Sequence, residues 1–262
     1  MKYNHKLPDA SVNVSQKNIL LETLKLLSIL LFVGVLFYFL LSATLNFVVE
    51  RITPSQEKQL ISLIDFSPVM ENEKENAYLQ ELTDRLIPCI SLPYPIKTYM
   101  IDSDEPNAFA MPSGKIYITK GMLKEIQNEN ELVGIIGHEL GHFKHKDHLR
   151  GLGNSLILAF MSLFLENNYG TLFDTSLQLS HAKYSQKAEF DADIFGLSAM
   201  QCGYGNVVSA TTLFERMDDG KKWIYFLETH PDFTSRIEKM KTEIVDKGYN
   251  LEAKITPLRE KF

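Results

Sequence analysis

No long block of lysine or arginine occurs in this chain of 262 residues, and its formal net charge is −6. Nucleic-acid binders neutralise phosphates with clustered cations, so the charge argues against a nucleic-acid partner. Cysteine is nearly absent. Cys89 and Cys202 lie far apart and form no CxxC pair. Two cysteines are too few for a disulfide scaffold, and the expectation is a pair of buried thiols. Internal repeats and low-complexity tracts are also lacking. At 45% hydrophobic residues, the chain suffices for one membrane element and one domain of about 200 residues.

One stretch lacks charge altogether: Leu26–Val49, LLSILLFVGVLFYFLLSATLNFVV. As a helix it measures roughly 36 Å, against a bilayer hydrocarbon core of about 30 Å. It is apolar on every face, which excludes an amphipathic surface helix. The apolar region of a cleaved signal peptide is shorter, about 7–15 residues, so the length favours an uncleaved anchor. Lys2, Lys6, Lys17 and Lys25 precede the run, whereas Arg51 and Lys58 follow it. This bias keeps the N-terminus cytoplasmic and puts the rest on the extracytoplasmic face, the periplasm in a Gram-negative cell. The expected organisation is a cytoplasmic segment (1–25), a single-pass transmembrane anchor (26–49), a linker (50–60) and one domain (61–262).

Within that domain, Pro54 and Ser55 can start a helix. Residues 72–87 carry apolar positions at helical spacing. The runs IKTYMI (96–101) and KIYIT (115–119) read as strands, with Pro112-Ser113-Gly114 as the turn between them. Helical patterns follow over 120–127, 131–147, 183–200, 207–217 and 233–247. The apolar run 152–165 is too short to span a bilayer and is expected to be a core helix. The fold class is α+β, mostly helical, with one small β-sheet.

The chemistry concentrates in GHELGHFKH (137–145). His138 and His142, four apart on a helix, project from one face and can hold one Zn²⁺. Glu139 is turned about 100° from His138, where it can take a proton from water that a metal activates. Gly137 and Gly141 flank the ligands and admit a close neighbour. For the third ligand, His145, Asp147 and His148 stand just behind the motif, and an acid pair lies further on. His148 stands ten residues after His138, the outer spacing of a metzincin site, but that pattern needs glycine at 145 to turn the chain, and His145 is there. A solvated polar helix end is the plainer reading of FKHKDH. Further on, Glu189 and Asp193 share a face of a helix over YSQKAEFDADIFG. Glu189 can ligate while Asp193 bonds the far nitrogen of a ligand histidine. Taken alone, ordinary exposed acids with a Ser185 cap explain that pair as well.

With both motifs in view, the chain resembles the zinc metallopeptidases that include the CAAX prenyl proteases and HtpX-like membrane peptidases. The resemblance runs through NAFAMPSGKIYITKGML, ELVGIIGHELGHFKH, AEFDAD and HPDFTSRI in order, over about residues 60–245. It implies a gluzincin-type domain with its small sheet beside the HExxH helix. It implies His138, His142 and Glu189 as ligands of one Zn²⁺, Glu139 as general base and Asp193 behind a ligand. It also implies His230 as a catalytic residue stabilising the oxyanion, and Arg236 as an organiser of that region. A substrate strand would add beside Asn107, Ala108, Phe109 and Ala110 or the adjoining strand. Two departures stand out: the family's Ser-Arg pair reads Ser185-Gln186, and one convincing membrane span replaces several. The expected protein is a membrane-anchored zinc endopeptidase cleaving protein or peptide substrates, with envelope quality control as its role. The rivals are a metzincin-type protease using His148, and a non-catalytic zinc-binding scaffold or chaperone.

Overall fold

The computed structural model describes residues 18–62, 73–93, 95–162, 184–217, 226, 230 and 232–259. It divides into two compact units, residues 1–44 and 45–262. In the first lies most of α1 (Ile19–Arg51), a helix of 33 residues that is long and apolar enough to cross a membrane. The last turns of α1 belong to the second unit, where Val49 is buried.

In that second unit, α2 (Pro54–Ile61) starts where proline predicts it. Thr53 and Gln56 form a reciprocal cap that satisfies two otherwise free amides. The next segment departs from the helical expectation. Glu73–Glu75 is a strand, β1, and helix α3 begins only at Ala77 and runs to Leu86. Asn76 accepts from the Leu79 amide and so marks the boundary. Two strands match their sequence patterns, β2 (Lys97–Ile101) and β4 (Lys115–Thr119), but a further strand, β3 (Ala108–Met111), lies between them in the chain. The turn at 112–114 therefore joins β3 to β4 as an antiparallel hairpin, while β2 and β4 are parallel. The sheet order is β1-β2-β4-β3, which leaves β3 at one edge.

Helices α4 (Lys120–Glu125), α5 (Glu129–Lys144), α6 (Asp147–Ser162), α7 (Gln186–Tyr204), α8 (Thr212–Met217) and α9 (Phe233–Lys247) complete the described elements. The main core packs Leu79, Ile116, Ile136, Leu140, Leu197 and Phe233 between the sheet and α5, α7 and α9. A second cluster (Phe109, Met111, Tyr117 and Leu152) joins the sheet to α6. Of the apolar run 152–165, Leu152 is buried and 163–165 fall outside the described residues.

The cysteines overturn the thiol expectation. Cys89 and Cys202 form a disulfide with an S–S distance of 2.12 Å. It ties the short 3-10 turn after α3 to the second half of α7. Periodicity carries no trace of such a pairing, because the partners stand 113 residues apart. Closing so long a loop restricts the unfolded chain, so replacing both cysteines with serine is expected to cost about 2–4 kcal/mol. The check is a lower Tm in the double variant, matched by the wild type in reductant, with no further fall when reductant is added to the double variant.

Candidate metal centre

Helices α5 and α7 pack backbone to backbone. A Cβ added at Gly141 would stand 2.7 Å from the Ala192 Cα, and one at Gly137 would stand 3.1 Å from the Gly196 Cα. Glycine alone permits this approach. The consequence is chemical, because it brings one turn of each helix close enough for their polar side chains to meet. Glu189 belongs to the first turn of α7, whose start is fixed by Ser185 accepting from the Ala188 amide.

Four side chains converge there: His138, His142, Glu189 and His230, all buried, with one donor atom from each within 4.8 Å of the others. The Nε2 atoms of His138 and His142 face each other at 3.1 Å. Glu189 carboxylate oxygens lie 3.6 Å from His138 Nε2 and 3.5 Å from His142 Nε2. His230 Nδ1 is 3.3 Å from His138 Nε2 and 3.1 Å from both Glu189 oxygens. Nitrogens held at roughly 2.0–2.1 Å by a tetrahedral zinc stand about 3.3 Å apart, so these separations suit that ion. Tautomers agree with this reading. His138 Nδ1 donates to Asp193 Oδ1 at 2.8 Å and His142 Nδ1 to Asp147 Oδ2 at 3.1 Å, which leaves both Nε2 atoms facing the cluster.

The surrounding charges keep the two carboxylates at the cluster ionised. Burial would raise the Glu189 carboxyl, but His230 and Arg236 beside it hold it well below the usual range. Burial opposes ionisation of Asp193 too, and Arg236 overcomes it. The Arg236 guanidinium is fully buried, with Nη1 2.7 Å from Glu189 and Nε and Nη2 each donating to Asp193 at 2.7 Å. Burial pulls His138 below its ordinary value. His142 is pushed up to about 10, since Asp147 and Glu189 outweigh its own desolvation. Glu139 differs from every other group in the site. It is buried, and neither carboxylate oxygen has a hydrogen-bond partner among the described residues. Its nearest polar neighbour in the cluster is His230 Nε2, 3.9 Å from Oε1. A buried carboxylate left without partners is costly, and the empty coordination of Glu139 fits a water and a metal between it and the histidines.

His148 does not join the cluster. Its Nε2 lies 3.4 Å from Glu57 of α2, and its Nδ1 meets the His142 carbonyl. Nor is FKHKDH a solvated helix end: α5 stops at Lys144, Lys146 adopts a left-handed φ of 57°, and Asp147 and His148 are buried. The strand residues lie beside the site. Ala108 O is 3.3 Å from His230 Nε2, whereas the Asn107 side chain turns back to accept from the Ala108 amide. Two contacts had no pattern in the sequence to announce them. Tyr184 stacks on His142 with ring centroids 3.9 Å apart, and Phe226 stacks on His230 at 4.6 Å.

Two histidines four apart and a glutamate on one helix, met by an acid from a second helix and set beside a mixed sheet, are the arrangement of the HExxH class. The sequence profile of peptidase family M48 matches residues 73–244, and the chain belongs to that family. It is 31% identical over 160 residues to the mitochondrial metalloendopeptidase OMA1 of Schizosaccharomyces pombe, covering 54% of this chain and 44% of that protein. Identity is 37% over 122 residues to an HtpX protease homologue of Campylobacter concisus, 45% of this chain and 40% of the relative. To the metalloprotease YcaL of Escherichia coli it is 29% over 171 residues, 58% and 63% respectively. The chain thus spans about half the length of the curated relatives it matches.

Proposed function

We propose that this chain is a membrane-anchored zinc endopeptidase in which His138, His142 and Glu189 hold the metal and Glu139 is the general base. The observation that carries it is the pair of buried oxygens on Glu139 that have no hydrogen-bond partner among the described residues, one residue from a histidine of the cluster. A scaffold site closed by protein ligands has no use for such a carboxylate. Zinc bound there supplies Lewis acidity, acidifying water and polarising the scissile carbonyl. Glu139 takes the proton from the attacking water and returns it to the leaving amine. Asp193 fixes the ring of His138, and Arg236 keeps Asp193 and Glu189 charged. His230 stands beside the donor set, where its N–H would hold the developing oxyanion.

An extended substrate is read as a strand added to the edge of β3, where Ala108 borders His230. Insertion of α1 with the N-terminus in the cytoplasm puts the catalytic unit on the extracytoplasmic side, and the Cys89–Cys202 disulfide favours that oxidising side. Turnover of envelope proteins is the role that goes with this placement.

The test is zinc content and casein cleavage by the full chain in detergent, with and without chelator. Cleavage that chelation abolishes and zinc restores is expected. Glu189→Ala is expected to lose both zinc and activity while His148→Ala keeps both, and the reverse pattern would establish the metzincin reading in its place.

A further inference from the structure

The ligand histidines are oriented by two different carboxylates, and only one of them belongs to a motif. His138 leans on Asp193, which Arg236 grips with two hydrogen bonds. His142 leans on Asp147, five residues along its own chain. The setting of Asp147 is unusual. The residue before it, Lys146, reverses the chain between α5 and α6 in the left-handed region, where glycine is the ordinary choice. A lysine there persists only if its surroundings determine it. They do: the Lys146 ammonium donates to the carbonyls of Val49, Glu50 and Ile52 at 3.1, 3.0 and 2.9 Å. These include carbonyls at the end of α1 that the helix itself cannot satisfy, and a cation suits that negative end of the helix dipole. Arg150 grips from the other side. Its Nη1 donates to Asp147 Oδ1 at 3.3 Å, its Nε to Asn46 Oδ1 at 3.2 Å, and its Nη2 lies 3.9 Å from Glu50. Asp147 is therefore gripped by Arg150 and follows directly on the turn that Lys146 pins, and both cations are anchored where the membrane-crossing helix ends.

We propose that Asp147 is a positioning residue for His142, set from the membrane side by Lys146 and Arg150, so that the aim of one metal-binding histidine depends on the exit turn of the anchor. This rests on reading the cluster as a zinc site. The same segment, FKHKDH, that failed as a source of a third ligand thereby acquires a function, as a mechanical link between anchor and metal centre. Carboxylates behind ligand histidines typically contribute about 10- to 100-fold in metal affinity or activity.

The experiment measures zinc affinity by competition with a chromogenic chelator, together with kcat, KM and Tm, on the full chain in nanodiscs. Asp147→Ala is expected to bind zinc about 10- to 100-fold more weakly and to lose kcat with KM unchanged. Asp147→Asn, which keeps the size and a neutral acceptor, is expected to recover part of the affinity, and it carries the comparison if the alanine protein folds poorly. Lys146→Gly separates backbone from grip: glycine relieves the left-handed strain, so Tm holds or rises, yet zinc binding weakens about 3- to 10-fold. Wild-type zinc affinity in both Asp147 variants overturns the positioning role. Wild-type affinity in Lys146→Gly overturns its control from the membrane side. A wild-type chain that neither holds zinc nor cleaves casein overturns the peptidase reading and this inference together, whereas an active wild type matched by Asp147→Ala overturns this inference alone.

Discussion

Glu139→Gln protein is expected to keep its zinc and to lose about 10²- to 10⁴-fold in kcat, the usual contribution of a positioned general base. The substitution preserves shape and removes only the charge and the basicity. None of the clustered donors is touched, because Glu139 stands outside the set formed by His138, His142, Glu189 and His230. Its effect on stability separates catalysis from structure. In the wild type both oxygens are buried and lack hydrogen-bond partners among the described residues. Glutamine replaces a carboxylate whose oxygens accept no hydrogen bond from the described residues, so the Tm of Glu139→Gln should equal or exceed that of the wild type. Measuring cleavage of casein, bound zinc and Tm on one preparation provides the three readings. Retained cleavage with normal zinc would remove Glu139 from the mechanism and favour the scaffold alternative.

Arg236→Met acts in the opposite sense, on the fold. The guanidinium has no exposure and holds Glu189 through one nitrogen and Asp193 through two, each at 2.7 Å. Methionine fills a similar volume but leaves two buried carboxylates facing each other. Breaking one side of a buried ion pair costs about 3–5 kcal/mol, because the remaining charge stays desolvated. Lysine is a poor substitute, since one ammonium cannot reproduce the forked geometry on Asp193. Metal modifies this outcome in a way that can be measured. A divalent cation beside Glu189 replaces part of the lost positive charge, so the Tm deficit of Arg236→Met should shrink when zinc is added. A deficit that is absent without metal, or identical with and without it, would contradict the role assigned to Arg236.

The parts of the site that were legible in the sequence are those in which chemistry and helical spacing coincide. His138, Glu139 and His142 announce themselves on one turn, and Glu189 and Asp193 do so on another. What brings them together, the backbone contact of Gly137 and Gly141 with Gly196 and Ala192, is visible in sequence only as an excess of small residues. The place of Asp147 behind His142, rather than on a metal, was hidden because FKHKDH reads as a polar helix end. Nothing in that string says that Lys146 turns left-handed to cap a helix almost a hundred residues earlier. The sheet was legible in β2 and β4 alone, since β1 read as part of a helix, and its pairing was not legible. A turn at 112–114 between two β-runs implies a hairpin between them, and only the short strand β3, inserted just before the turn, makes β2 and β4 parallel. The disulfide escaped for a related reason, since pairing across 113 residues is a property of the packed molecule.

The split of the donor set between helices has a consequence for the timing of synthesis. When His138 and His142 have been made, Glu189 lies about fifty residues ahead, and His230 and Arg236 follow about forty later still. A chain emerging from the ribosome therefore carries Glu139 long before the four clustered side chains can meet. The carboxylate that completes the cluster is kept charged by Arg236, near the C-terminal end. A half-made molecule thus holds two histidines of the cluster without Glu189 or Arg236, and the cluster assembles only when the later residues have folded back onto α5.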